Sequence, residues 1–83
     1  MRKTIHSREN EILCAILRDV RVKRGVSQAE LAESVGATQS FISKCERGER
    51  RVDLVELHSF CRALGIRLEE VARRFEKAIR RHG

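Results

Sequence analysis

Within the stretch "TQSFISKCERGERR", Gln39, Ser40, Ser43 and Lys44 bring together an amide, two hydroxyls and an ammonium, with no carboxylate among them. Residues three and four apart share a face of a helix. That spacing puts the four on or near one side and Phe41, Ile42 and Cys45 mainly on the other. A polar face free of carboxylates can approach a groove edged with phosphates. There a glutamine can pair with adenine, a lysine can donate to guanine acceptors, and a serine can donate or accept. These four are the base-reading candidates. From composition alone, the plainer alternative is a solvated helix face.

Groups suited to phosphate flank them. Gln28 sits in the first turn of a predicted helix, where unpaired N–H groups and the helix dipole attract an anion. Thr38 stands at the cap of the next helix. "KCERGERR" then supplies Arg47, Arg50 and Arg51 around Gly48, in a loop able to follow a sugar–phosphate backbone. A solubilising charged loop is the bland reading of the same residues.

Other chemistries find less support. Cys14, Cys45 and Cys61 with His6, His58 and His82 offer metal-ligand types, but only His58 and Cys61 share a local helical face, and no second pair completes a tetrahedral set. Core thiols and surface histidines are the expectation. A nucleophilic cysteine needs an electropositive setting and a base held nearby, and the sequence identifies neither. The two aspartates, Asp19 in mid-helix and Asp53 at a predicted cap, do not make a carboxylate pair. The sequence therefore reads as a binding module, not an enzyme, with no metal, cofactor or small-molecule ligand expected.

The elements that must position these groups are short. Eighty-three residues suit one small domain and leave little room for a deep pocket. Without proline, tryptophan or tyrosine, and rich in Leu, Ala, Glu, Arg and Val, the chain favours helices. The excess of 18 Lys and Arg over 12 Asp and Glu gives +6, a charge suited first to nucleic acid and second to an anionic membrane. An odd number of cysteines without paired spacing fits a reducing cytoplasm. No apolar run approaches the length of a signal peptide or a membrane span.

Periodicity and capping signals predict an all-α fold of five helices. The first runs from about Arg8 to Lys23 or Arg24, capped by Ser7 and closed by Gly25. The second opens on the capping box Ser27-Gln28-Ala29-Glu30 and ends at Val35 before Gly36. The third starts after Thr38 and stops at Gly48. The fourth begins at Asp53, repeats the box through Glu56, and ends at Gly65. The fifth covers Leu68 to Arg81, with Arg67 a poor cap. Ala32 falls where the second and third helices cross closely, Gly36 falls at their turn, and Leu31, Val35, Ala37, Ile42 and Cys45 face inward, which makes a helix-turn-helix.

On these landmarks the chain resembles the lambda-repressor-like, or XRE-type, helix-turn-helix family. The similarity runs through "LRDVRVKRGVSQAELAESVGATQSFISKCERGERR" and "LVELHSFCRALGIRLEEV", about residues 13 to 72. The resemblance implies a compact five-helix domain with its third helix in the major groove of double-stranded DNA and its second bridging the backbone. It implies base contacts from Gln39, Ser40 and Lys44, and backbone contacts around Arg47 and Arg51. It also pairs Arg21 with Glu46 in a buried ion pair that orients the third helix without touching DNA. Removing one partner of such a pair costs about 3 to 5 kcal/mol. Val52 stands where the family often has proline, and Cys45 where a larger apolar residue is common.

The resulting expectation is a cytoplasmic, sequence-specific transcriptional regulator, a repressor or autoregulator. Its alternative is an antitoxin-like or adaptor module for protein interaction, with DNA binding secondary. A weaker third reading is membrane-surface attachment through the basic, amphipathic "LEEVARRFEKAIRRHG". One domain spanning residues 1–83 is expected, with an extension at about 73–83 serving assembly. Phe75 and Ile79 lie furthest along the apolar stripe of helix 5 and are expected to stay exposed until a second copy covers them. The outcome is a two-fold homodimer on a palindromic operator. The opposing expectation packs both residues on Ile12 and Ile16 of the same chain.

Overall fold

A computed structural model describes residues 7–82. It contains α1 (Arg8–Lys23), α2 (Gln28–Val35), α3 (Gln39–Glu46), α4 (Leu54–Leu64) and α5 (Leu68–His82). Side-chain caps set four of the starts. The hydroxyls of Ser7 and Thr38 accept from Asn10 N–H and Phe41 N–H, while Ser27 with Glu30 and Asp53 with Glu56 form complete capping boxes. Each of these bonds satisfies a donor that a helix start leaves unpaired.

The ends of α1 to α4 share one closure. The N–H of the residue after a glycine donates back to a carbonyl five residues earlier: Val26 to Arg21, Ala37 to Ala32, Glu49 to Lys44 and Ile66 to Cys61, at 2.8–3.2 Å. At α3 this closure ends the helix at Glu46, with Arg47 as its cap, two residues before the Gly48 stop expected from sequence. Gly48 has φ +76°, and a Cβ there would meet no atom nearer than 3.9 Å. The demand for glycine is therefore one of backbone conformation, not space.

The closures let α2 and α3 pack on each other while α1 lies behind α3 and α4 behind α2; α5 runs along α1 and touches α4. Leu17, Val20, Leu31, Ala32, Ile42, Cys45, Phe60, Cys61, Leu64, Ile66 and Val71 form the core. Val35 and Ala37, placed inward by periodicity, are half-buried. Two polar struts join distant elements. Arg24 Nη1 donates to the carbonyls of Leu64 and Gly65 at 2.9 and 2.8 Å, completing the end of α4, and buried Asn10 donates to Gly48 O at 3.4 Å.

The exposure expected for the end of α5 is not what the fold displays. Phe75 and Ile79 are half-buried, and Phe75 lines an apolar groove of about 190 Å³ with Leu13, Leu57, Val71 and Ala72. The strongly exposed large apolar residues are instead Val22, Leu54 and Val55. Periodicity ranks residues by their phase on one helix; it does not see that α1 lies against α5.

Candidate nucleic-acid interface

The third helix divides into two faces. Ile42 and Cys45 are buried, and Phe41 meets Phe60 edge-on with ring centroids 6.2 Å apart. Gln39, Ser40 and Lys44 are exposed, as is Thr38 at the cap. Ser43 is half-buried, and its Oγ accepts from Arg47 Nη1. The four candidate readers are thus brought together on one short helix, three open to solvent and the fourth already bonded to an arginine.

What fixes this helix is one carboxylate behind it. Glu46 accepts from Arg21 Nε at 2.5 Å and from Arg21 Nη2 at 3.0 Å, a two-bond fork between α1 and α3. Gln28 Nε2, from the first turn of α2, donates to the same carboxylate at 3.0 Å. Arg21 Nη1 continues to Val26 O at 2.7 Å, in the turn between α1 and α2. The paired side chains retain only 10% and 6% of their exposure, so neither charge has water as a substitute partner. Among the described residues, no buried side-chain nitrogen or oxygen lacks a hydrogen bond. Arg21 and Glu46 stand where the resemblance placed them, and Gln28 is the member of the node that spacing did not reveal. The side-chain amide of Gln28, expected from sequence at phosphate, donates inward to Glu46.

The arginines after α3 are held differently. Arg50 makes two bonds to Glu56, both at 3.0 Å, donates to Arg51 O at 2.9 Å, and lies 4.5 Å over the centre of the Phe41 ring. A guanidinium so engaged splices α3 to the start of α4. Its bonds raise the Arg50 pKa and hold the Glu56 carboxyl below the usual carboxylate range. Arg47 forks onto Glu49 at 2.9 and 3.1 Å, which raises the Arg47 pKa through the hydrogen bonds to that carboxylate. Arg51 is exposed. Arg47, Arg50 and Arg51, taken together from sequence as phosphate ligands, occupy different settings: Glu49 holds Arg47 and Glu56 of α4 holds Arg50.

The three cysteines are free and buried, and burial pushes each thiol pKa up, away from nucleophilic character. His58 is exposed while Cys61 is buried, so this pair does not share a site. His6 lies outside the described residues. Among those described, no cluster of His, Cys, Asp and Glu suited to a metal ion occurs, and no helix is long and apolar enough to cross a membrane.

Five helices, a glycine turn between the second and third, and a polar third helix braced from behind define a helix-turn-helix protein of the DNA-binding class. Residues 12–74 match the family described as "Helix-turn-helix domain". The chain belongs to this family, in its XRE-type branch, whose members are DNA-binding regulators of transcription and not a class of enzymes. An uncharacterized HTH-type transcriptional regulator of Methanothermobacter thermautotrophicus is 40% identical over 50 residues, which are 60% of this chain and 72% of that protein. An XRE-family like protein from Pseudomonas syringae pv. tomato superposes with a TM-score of 0.81 at 36% identity, covering 89% of this chain and 90% of the other. The clp gene regulator ClgR from Corynebacterium glutamicum gives 0.83 at 32% identity, covering 92% and 81%.

Proposed function

We propose that this chain regulates transcription by reading a specific duplex sequence in the major groove with α3, as a repressor or autoregulator in the reducing cytoplasm. One observation carries this reading: the Arg21–Glu46–Gln28 node fixes α3 from behind while Gln39, Ser40 and Lys44 stand exposed on its outer face. Such bracing matters because base contacts discriminate only if the donors are held in register with the base edges. In this reading Gln39, Ser40, Ser43 and Lys44 contact bases. Arg51, Thr38 and the first-turn N–H groups of α2 near Gln28 contact phosphate, and Arg50 shapes the loop that presents Arg51. The protein acts by binding, without a catalytic step or cofactor.

We further propose a palindromic operator bound by a two-fold dimer; a single copy carries one α3 and measures 34 × 23 × 20 Å. Two copies side by side can set their recognition helices about 34 Å apart, one turn of duplex. Selection of bound fragments from a random duplex pool tests the proposal. Enrichment of a palindrome with half-sites one turn apart is expected. Recovery of no enriched sequence would leave an adaptor role, with DNA binding secondary, as the better account.

A further inference from the structure

Of the four shared helix closures, one departs from the others in chemistry. The residue that donates back across the glycine is apolar at three of them: Val26 packs against the core, Ala37 is half-buried and Ile66 is buried. An apolar residue at this point ordinarily seals the helix end. At α3 the position holds Glu49, and its side chain is half exposed. Local packing rules tend to be broken where a site needs another chemistry.

That other chemistry is visible in the bonds Glu49 makes. Its two oxygens take Arg47 Nε and Nη2, at 2.9 and 3.1 Å, leaving Nη1 to donate to Ser43 Oγ. A planar guanidinium fixed through one edge has its remaining arm fixed as well. The hydroxyl of Ser43 offers one donor and two lone pairs, and Arg47 occupies one of those lone pairs. A charged donor on the oxygen also polarises the O–H bond, strengthening it as a donor.

We propose that Glu49 and Arg47 are positioning residues that turn Ser43 from an ambiguous reader into a hydrogen-bond donor, selecting a base whose major-groove edge presents an acceptor. The inference rests on the readout by α3 proposed above. An unassisted serine accepts from cytosine N4 as readily as it donates to guanine O6 or thymine O4. With the relay intact, the base facing Ser43 is guanine, thymine or adenine, each of which presents an acceptor, and cytosine, which presents only a donor, is excluded by about tenfold. Arg47 then serves the bases through Ser43 and is not a phosphate ligand.

The test begins by locating the operator position whose preference Ser43→Ala abolishes. Competition binding with all four base pairs at that position is then measured for wild type, Arg47→Met, Glu49→Gln and Arg47→Lys. The three side chains changed, Ser43, Arg47 and Glu49, are exposed or half-buried, and unchanged thermal unfolding verifies that the variants fold. Arg47→Met and Glu49→Gln are expected to narrow the discrimination against cytosine to within about twofold while leaving other positions unchanged. Arg47→Lys, which keeps the charge but cannot fork onto Glu49 while donating to Ser43, is expected to lose most of it as well. Equal weakening on every base pair in Arg47→Met would make Arg47 a phosphate ligand and overturn the relay. So would preserved discrimination in both disrupted variants, or a Ser43→Ala variant that alters no position. A wild type without any enriched operator would instead overturn the underlying readout.

Discussion

Gln39 and Lys44 differ from Arg51 in what each can learn about a sequence. In the proposed reading, the exposed amide and ammonium on α3 meet base edges, which vary from site to site, while the guanidinium in the loop after α3 meets phosphates, which do not. Gln39→Ala and Lys44→Ala are therefore expected to weaken binding unevenly across singly altered operators, by about 1 to 3 kcal/mol on the preferred site. Arg51→Ala is expected to weaken all duplexes alike and to reduce the salt dependence by about one unit. Competition titrations at several ionic strengths separate the two patterns. Equal losses on every operator for Gln39→Ala would remove it from the readers. At this scale the sequence was most informative for residues whose exposure or burial follows from helical phase, such as exposed Gln39 and buried Ile42. It was least informative for Gln28, Arg47 and Arg50, because a partner such as Glu46, Glu49 or Glu56 is chosen by the path of the chain between helices. Phase on one helix says nothing about that path.

The start of α4 shows how an element can depend on a residue outside it. Glu56 closes the capping box on Asp53 N–H at 3.0 Å and also receives the fork from Arg50. The Arg50 bonds, followed by the Asp53 N–H, hold its carboxyl pKa down. A carboxylate depressed in the folded state contributes stability that is fully present above its unfolded value, about 4.3, and is lost as pH falls through the folded value. Glu30, held down by its bonds at Ser27, acts in the same direction at α2. Urea midpoints measured from neutral pH downward should thus fall below about pH 4.3, and Glu56→Gln should show a lower midpoint at neutral pH and a shallower acid limb. An identical acid limb in the variant would place the titration elsewhere. Both boxes were legible in sequence because their partners are three residues apart; the Arg50 fork, across a loop, was not.

At the scale of the whole molecule, two apolar surfaces offer a face for the dimer proposed above. The groove holding Phe75 favours α5, whereas Leu54 and Val55 leave an apolar pair on α4, next to the loop of Arg50 and Arg51. Light scattering at micromolar concentration is expected to show a dimer for wild type and for Leu54→Glu/Val55→Glu, and a folded monomer for Phe75→Glu/Ile79→Glu. Dissociation only by the Leu54 and Val55 changes would move the interface to α4, and a monomeric wild type would exclude both. The bracing of α3 from its buried side has a consequence of another kind. Glu46 and its donors lie behind the helix, and Gln39, Ser40 and Lys44 make none of those bonds. Changes at these three positions therefore cost the fold little, and in the proposed reading descendants of one gene can drift to new operators along paths of folded intermediates.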